Sequence, residues 1–228
     1  MDRQVHQAAA AGARGMETHD EGTFRLIKVG PLGPFDNNAY VIVDPAAGEA
    51  AIVDMPAEGE KVLEAAIDLR IAKILLTHTH PDHWFSYDLL KQATGALVYC
   101  HPAEVQMPPE RIDIPLTDGR ELAVGGVAVR VIHTPGHTPG SVCFLVGDHL
   151  ISGDTLFPGG PGHSDTPDDL QQTIRSIVQR LYVLPDDTLV LPGHGADTTI
   201  GASRREYAAF ASRPHPPDLC GDVLWETA

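Results

Sequence analysis

Apolar residues in this chain recur mostly in short runs separated by Gly, Pro and Asp, the pattern of strands and turns. Runs at 24–29, 39–43 and 50–53 predict three strands joined as a meander. Positions 59–69 put Val62, Leu63, Ala66 and Ile67 on one face, which predicts a helix. Ile74-Leu75-Leu76 reads as a buried strand; a second helix then runs to about Gln92, ended by Gly95, and a strand follows at 96–99. Beyond a strand at 127–132, segments 142–146 and 149–152 form a hairpin around Gly147-Asp148. Thr166-Pro167-Asp168-Asp169 is a helix start: Thr166 as N-cap, Pro167 in the first turn, acids at the positive end of the dipole. Leu170, Ile174, Ile177 and Leu181 mark that helix's buried stripe, suited to packing on a sheet, and a last strand spans 188–191. Strands thus come in two groups, each followed by helices, an α+β pattern that suits two sheets packed face to face with helices outside. Residues 1–22, rich in Ala, Gly and charge without apolar period, are expected to form a disordered tail, leaving 23–228 as a single domain.

Composition narrows the function classes. At 228 residues and 43% hydrophobic content the chain can bury one sizeable core. Sixteen Lys plus Arg against 31 Asp plus Glu give a net charge of −15, which repels a phosphate backbone and argues against a nucleic-acid partner. No apolar stretch reaches the roughly 18 residues of a membrane helix, and residues 8–11 are too short and weakly apolar for a signal-peptide core. Cys100, Cys143 and Cys220 are odd in number and widely spaced, so they propose no disulfide framework, and a cytoplasmic setting is the simplest expectation. Cys143, in the apolar Val142-Cys143-Phe144-Leu145, reads as a small buried hydrophobe; Cys100 beside His101 lacks a partner motif for nucleophilic catalysis.

The chemistry concentrates in Thr77-His78-Thr79-His80-Pro81-Asp82-His83, directly after a buried strand. Neutral imidazoles and a carboxylate are the ligand set of zinc or iron, and so dense a cluster is hard to explain without metal. His78 and His80 are two apart and project to the same side at a strand end, unlike the His-x-x-x-His spacing of a helical zinc-protease pair. Asp82 and His83 follow on a turn stiffened by Pro81 and could serve a second ion. Three further strand ends add donors: His137 in Thr134-Pro135-Gly136-His137, Asp154 in Gly153-Asp154-Thr155, and His194 in Leu191-Pro192-Gly193-His194-Gly195. Singly, each has an ordinary alternative as a turn or backbone-bonded residue. Together with the first cluster they make five His and two Asp, enough for two ions sharing one carboxylate.

On the segments His78 to His83, 134–141, 153–157 and 191–195, the chain resembles the metallo-β-lactamase superfamily, and within it the glyoxalase II group of hydrolases, from about Asn38 to Thr199. The resemblance implies a four-layer αββα sandwich of two mixed sheets. It implies that His78, His80 and His137 hold one metal, that Asp82, His83 and His194 hold a second, and that Asp154 bridges them. Asp54 falls where the family often has an acid that orients a ligand; an ordinary aspartate ending a strand is the equal alternative.

Two divalent ions, Zn2+ before Fe or Mn, imply the reaction. Ions roughly 3.5–4 Å apart can share a hydroxide, because coordination lowers the pKa of water from about 15.7 to near 7. The same ions polarise an acyl carbonyl, while Asp82 and Asp154 orient or deprotonate the water, so a small-molecule thioester or related acyl substrate is expected to be hydrolysed. Ligand imidazoles must be neutral, so metal affinity and turnover should fall below about pH 6. Three alternatives stay open: a mononuclear iron persulfide dioxygenase using His78, His137 and Asp154, a lactonase, and a non-catalytic metal-binding protein. Lactonases often carry Tyr three residues after the bridging Asp, where this chain has Phe157. Glyoxalase II sequences usually continue the first cluster with Gly-Gly, whereas Trp84-Phe85-Ser86 here predicts a bulkier wall beside the second metal. They bind glutathione partly through basic and tyrosyl residues after the bridging Asp and through an added helical domain; segment 155–163 has neither Lys nor Tyr and the chain ends at Ala228, which weakens lactoylglutathione as substrate. His163 either contacts substrate or is a solvated loop residue, and the tail 212–225 either covers the site mouth or packs on a helix.

Overall fold

The computed structural model describes residues 15–227. Its first sheet has seven strands in sequence order: β1 (Met16–Asp20), β2 (Arg25–Leu32), β3 (Asn37–Asp44), β4 (Glu49–Val53), β5 (Arg70–Leu75), β6 (Leu97–Cys100) and β7 (Ile114–Pro115). Pairing is antiparallel from β1 to β4 and parallel from β4 to β7, so the sheet is mixed. Helices α1 (Gly59–Ala65) and α2 (Tyr87–Thr94) make the first two parallel crossovers, β4 to β5 and β5 to β6. Every residue of β3 is buried. Two covered faces explain this: Tyr40 and Ile42 point into the core between the sheets, while Ala39, Val41 and Val43 pack on the other side with Val62 of α1 and Leu90 of α2.

The second sheet contains β8 (Glu121–Val124), β9 (Val127–His133), β10 (Val142–Val146), β11 (His149–Gly153), β14 (Leu189–Pro192) and β15 (Thr198–Thr199), in the order β15-β14-β11-β10-β9-β8. A small hairpin, β12 (Leu156–Phe157) with β13 (Gly160–Pro161), follows β11. Val129, Val131, Phe144, Ile151 and Leu191 face the first sheet; Ile132, Cys143, Leu150 and Val190 face α3 (Pro167–Ser176), its π-helical continuation Ile177–Leu181, and α4 (Ile200–Ala211). Alternation along each strand therefore fills three apolar layers between four structural ones, the expected αββα sandwich. Thr166 caps α3 as predicted, its hydroxyl accepting the Asp169 N–H, with Pro167 at the helix start.

Two expectations need correction. The tail assigned to 1–22 is not disordered throughout: Met16–Asp20 is β1, paired antiparallel from Met16↔Val29 to Asp20↔Arg25. An edge strand needs a partner on one side only, so it forms without the apolar run that a central strand carries. Residues 1–14 lie outside the described residues. The helix expected over 59–69 stops at Ala65, where Asp68, at φ +65°, turns the chain into β5 and leaves Ile67 exposed. Among the described residues no helix is long and apolar enough to cross a membrane.

Candidate metal centre

All seven predicted donors gather at one edge of the sandwich, beyond the strand ends. His78 and His80 lie just after β5, and Asp82 and His83 are in the 3-10 turn Pro81–His83, which begins with the φ-restricted proline. His137 is in the β9–β10 loop, and Asp154 and His194 follow the parallel neighbours β11 and β14, which deliver them side by side. Gly193 makes that approach possible: a Cβ there would lie 2.2 Å from Asp154 Oδ1 and 2.6 Å from His83 Cε1.

The donors form two sets. His78 Nε2 is 3.1 Å from His80 Nδ1 and 3.3 Å from His137 Nε2, and His137 Nε2 is 2.9 Å from His80 Nδ1. In the second set His83 Nε2 is 3.2 Å from His194 Nε2, which is 3.3 Å from Asp82 Oδ2. Asp154 stands between them, Oδ1 at 3.4 Å from His83 Nε2, and Oδ2 at 3.3 Å from His194 Nε2 and 3.7 Å from His137 Nε2.

The outer ring nitrogens fix which atoms face inward. His137 Nδ1 donates to the His163 carbonyl (2.8 Å) and His194 Nδ1 to the Phe35 carbonyl (2.7 Å). His83 Nδ1 donates to Asp54 Oδ2 (2.9 Å), and His78 Nδ1 lies 3.1 Å from Thr77 Oγ1, whose own hydrogen goes to Asp54 Oδ2. The Nε2 atoms of His78 and His137 therefore face each other with lone pairs, an unfavourable contact that a shared cation relieves. Ligands of a tetrahedral ion at about 2.0–2.1 Å lie about 3.3 Å apart, close to this spacing. Asp154 Oδ1 is buried with no hydrogen-bond partner among the described residues, an orphaned acceptor that suits a cation. Both observations fit metal.

Titration divides the sets. Burial, reinforced by the neighbouring imidazoles His83 and His137 respectively, pushes the His78 and His80 pKa values down, so both rings are neutral. Burial also opposes charge on His83 and His194, but there the carboxylates win: Asp154 and Asp54 raise His83 well above its ordinary value, and Asp154 with Asp82 lifts His194 to about 10. Burial would raise Asp154 and Asp82, yet His83 and His194 hold both carboxyls well below the usual range. Around the second set, protons hold the positive charge that the carboxylates demand.

Several supporting residues emerge only in space. Asp54, at φ +63° and 2% exposed, accepts the Thr77 N–H (2.9 Å), the Thr77 hydroxyl (2.8 Å) and His83 Nδ1, which decides for an orienting acid over a simple strand-end aspartate. Buried Glu104 accepts the Thr79 N–H (2.8 Å) and hydroxyl (2.5 Å) through Oε2, and the Gly140 N–H (3.0 Å) and Thr138 hydroxyl through Oε1, tying the His78-Thr79-His80 run to the His137 loop. Asn37 Nδ2 donates to Asp82 Oδ2 (2.8 Å). Neither Glu104 nor Asn37 sits in a recognisable motif.

A cleft of about 420 Å³ opens beside the donors, lined by His137, Asp154 and His194 with Phe35, Phe157, His163 and the tail residues Asp222, Val223 and Leu224. The tail thus does both things considered for it: Leu224 lines the mouth, while Trp225 is fully buried against Phe210 and Tyr207 of α4. The half-exposed His163 ring pairs with Asp222 (2.9 Å), and its backbone carbonyl is what orients His137. Trp84 does not form the expected wall: its Nε1 donates to the Thr79 carbonyl (3.0 Å) and its ring packs with the helical layer on the first sheet. The 3-10 turn directs residue 84 away from the cleft, and the site is walled from other segments.

A four-layer sandwich with a histidine-rich donor cluster at one sheet edge defines a metalloprotein scaffold of the metallo-β-lactamase kind. A family model described as the metallo-beta-lactamase superfamily matches residues 32–194, and the chain belongs to that superfamily. It is 33% identical over 210 residues to the hydroxyacylglutathione hydrolase GloC of Haemophilus influenzae, covering 82% of this chain and 99% of the relative. It superposes on the crystal structure of ETHE1 from Myxococcus xanthus with a TM-score of 0.72 at 28% identity, over 82% of this chain and 85% of the other. TTHA1623 in a di-iron-bound form superposes with a TM-score of 0.63 at 33% identity, over 76% and 95% of the two chains.

Proposed function

We propose that the protein is a dinuclear metal-dependent hydrolase of thioesters or related activated acyl compounds, acting on a small molecule in the cytoplasm. His78, His80 and His137 would hold one ion, Asp82, His83 and His194 the other, and Asp154 both. One observation carries the reading: two sets of three donors converge on either side of the Asp154 carboxylate, whose buried Oδ1 lacks a hydrogen-bond partner among the described residues. A mononuclear iron centre using His78, His137 and Asp154 would leave Asp82, His83 and His194 converging without a role. Similarity to GloC, a hydroxyacylglutathione hydrolase, supports acyl-thioester chemistry. Zinc suits five imidazoles and two carboxylates; iron is the second candidate, since TTHA1623 was crystallised in a di-iron-bound form.

Divalent ions bound here would supply an acidified water and polarise the acyl carbonyl. The chain's residues position the reactants. Asp82, held by the Asn37 amide N–H and set beside His83 and His194, is fitted to orient the attacking water by accepting its hydrogen bond. The Phe35 and His163 carbonyls hold His194 and His137 in one tautomer, keeping their Nε2 atoms directed inward. Water adds to the acyl carbon, the C–S bond breaks, and the products are a carboxylic acid and a thiol.

The test is a metal count on protein purified without added ions, joined to a thioester, lactone and β-lactam panel on wild type and Asp154→Ala. Two ions per chain with thioester hydrolysis lost in the variant is expected. A single ion, or equal rates for the two proteins on every substrate, overturns the reading.

A further inference from the structure

Of the seven exposed large apolar side chains among the described residues, Phe35 and Leu224 both line the cleft beside the donors, 64% and 53% exposed. Phe157 and Val223 extend this lining, and Phe157 lies 6.3 Å from the His194 ring, so apolar surface reaches the donor cluster. No Lys or Arg lines the cleft among the described residues. Beyond the metal donors, its ionisable groups are His163 and Asp222, already paired, with Asp165 3.4 Å from the other ring nitrogen of His163.

The wall that carries Leu224 is fixed in place. Ser164 and Gly221 exchange backbone hydrogen bonds (3.2 and 2.8 Å), the Trp225 N–H donates to the Gly159 carbonyl (2.7 Å), and Arg213 Nη2 donates to the Trp225 carbonyl (2.6 Å). With the Trp225 ring buried against Phe210 at 4.7 Å between centroids, Leu224 is presented on an anchored strap. Such a preset wall orders little on binding, so apolar contact with it converts efficiently to affinity.

Resting on the hydrolase reading above, we propose that this cleft selects an apolar acyl group on an uncharged carrier and rejects carriers bearing carboxylates, glutathione among them. An apolar group covering Phe35, Phe157 and Leu224 gains from the area removed from water. A carrier carboxylate lying beyond the metal centre along these walls meets apolar surface and Asp222, and loses water with no Lys or Arg of the cleft to receive it. The substrate's reacting carbonyl is the polar group the metal centre accommodates; the remainder must be neutral.

The experiment separates this from the hydrolase reading by measuring binding as well as turnover on the metal-loaded protein. Calorimetry compares two non-hydrolysable thioethers, S-hexyl-N-acetylcysteamine and S-hexylglutathione. Glutathione offers more contact atoms, so size alone favours it. The expected result is at least about tenfold tighter binding of the uncharged ligand, with Leu224→Arg narrowing the gap at least about threefold by tightening S-hexylglutathione. Leu224 is exposed, and an unchanged melting temperature of the variant certifies its fold. S-hexylglutathione bound as tightly as the uncharged ligand, or a gap unmoved by Leu224→Arg, overturns the proposal. Hexanoyl thioesters of the same two thiols then report turnover: the binding preference without cleavage of either ester fails the hydrolase reading and leaves the selectivity standing.

Discussion

Replacing Glu104 by Gln tests whether the metal loops are braced from behind. Glu104 is 8% exposed and receives four donors on one carboxylate, two from Thr79, which lies between His78 and His80, and two from Thr138 and Gly140, which follow His137. Gln has nearly the same shape but a single acceptor oxygen. With that oxygen on the Thr79 side, the new NH2 faces Thr138 and Gly140; the Thr138 hydroxyl can turn to accept, but the Gly140 N–H is left against a donor. Hydrogen bonds to a charged group contribute about 1.5–3 kcal/mol each, and two are lost with one partly replaced, so destabilisation of about 2–4 kcal/mol is expected. That is a large share of a total stability of about 5–15 kcal/mol. Urea unfolding of chelator-treated protein reads it directly. Because His80 and His137 sit on the two loops that Glu104 joins, metal affinity from chelator competition should fall about 10- to 100-fold. A change under about 0.5 kcal/mol together with unaltered affinity refutes the bracing argument.

Three other outcomes follow from the same geometry. In metal-free protein at pH 8, His194 is protonated because its pKa is raised to about 10, while His78 and His80 are neutral because theirs are lowered; loading both donor sets should therefore release the His194 proton and one from the water the ions acidify, at least about two protons per chain, read from calorimetry in buffers of different ionisation enthalpy, and release of none would contradict the charge assigned to His194. Acid sensitivity of the chelated protein has the opposite origin. The Gly126 and Ala47 N–H groups lower Asp44; burial would raise Asp113 and Asp118, but Lys91 and Arg180 pull them below the carboxylate range. Depressed folded carboxyl pKa values mean stability that is present above the unfolded value of about 3.9 and lost as pH falls from there, and the lowered His78 and His80 add a loss that begins below the unfolded histidine value of about 6.5, so the urea midpoint should decline from about pH 6 and fall more steeply below about pH 4. A midpoint rising between about pH 6 and pH 3 would reverse the assigned sign. Burial pushes the Cys100 thiol to about 12 and Cys143 to about 11, whereas Cys220 is exposed; iodoacetamide at pH 8 should label one thiol per native chain, and fast labelling of Cys100 or Cys143 would show that their burial is misjudged.

Fold class was legible because most strands are covered on both faces or one, and covered strands need apolar runs or alternation: β3, β4 and β10 stand out in the sequence for that reason. The elements that escaped depend on a neighbour for their definition. Met16–Asp20 has no apolar run and becomes a strand by pairing with β2, and 121–124, buried at alternate residues only, is too short to assert a strand by itself. Helix length at 59–69 was overread because Ala66 and Ile67 continue the apolar period, while the left-handed turn at Asp68 that ends it depends on where β5 must begin.

The donor cluster was legible for a different reason. Histidines and aspartates are costly to bury, so five His and two Asp at strand ends demand a common purpose before any coordinates exist. What folding adds is the control of their protons, and that comes from groups with no sequence signature. Two of the orienting acceptors are main-chain carbonyls, of Phe35 and His163, which any residue type would supply equally well. Glu104 lies 25 residues from Thr79 and 34 from Thr138, inside a segment without periodicity, and is recognisable only when β5, β6 and the β9–β10 loop are brought together. Asp54 is the intermediate case: the apolar run before it announces a strand end, but Thr77 and His83 must fold onto it before its carboxylate has anything to orient. Substitutions at the seven donors should therefore abolish metal binding, whereas substitutions at Asp54 and Glu104 should leave the donors present but aimed and protonated wrongly, a graded loss that only their three-dimensional neighbours explain.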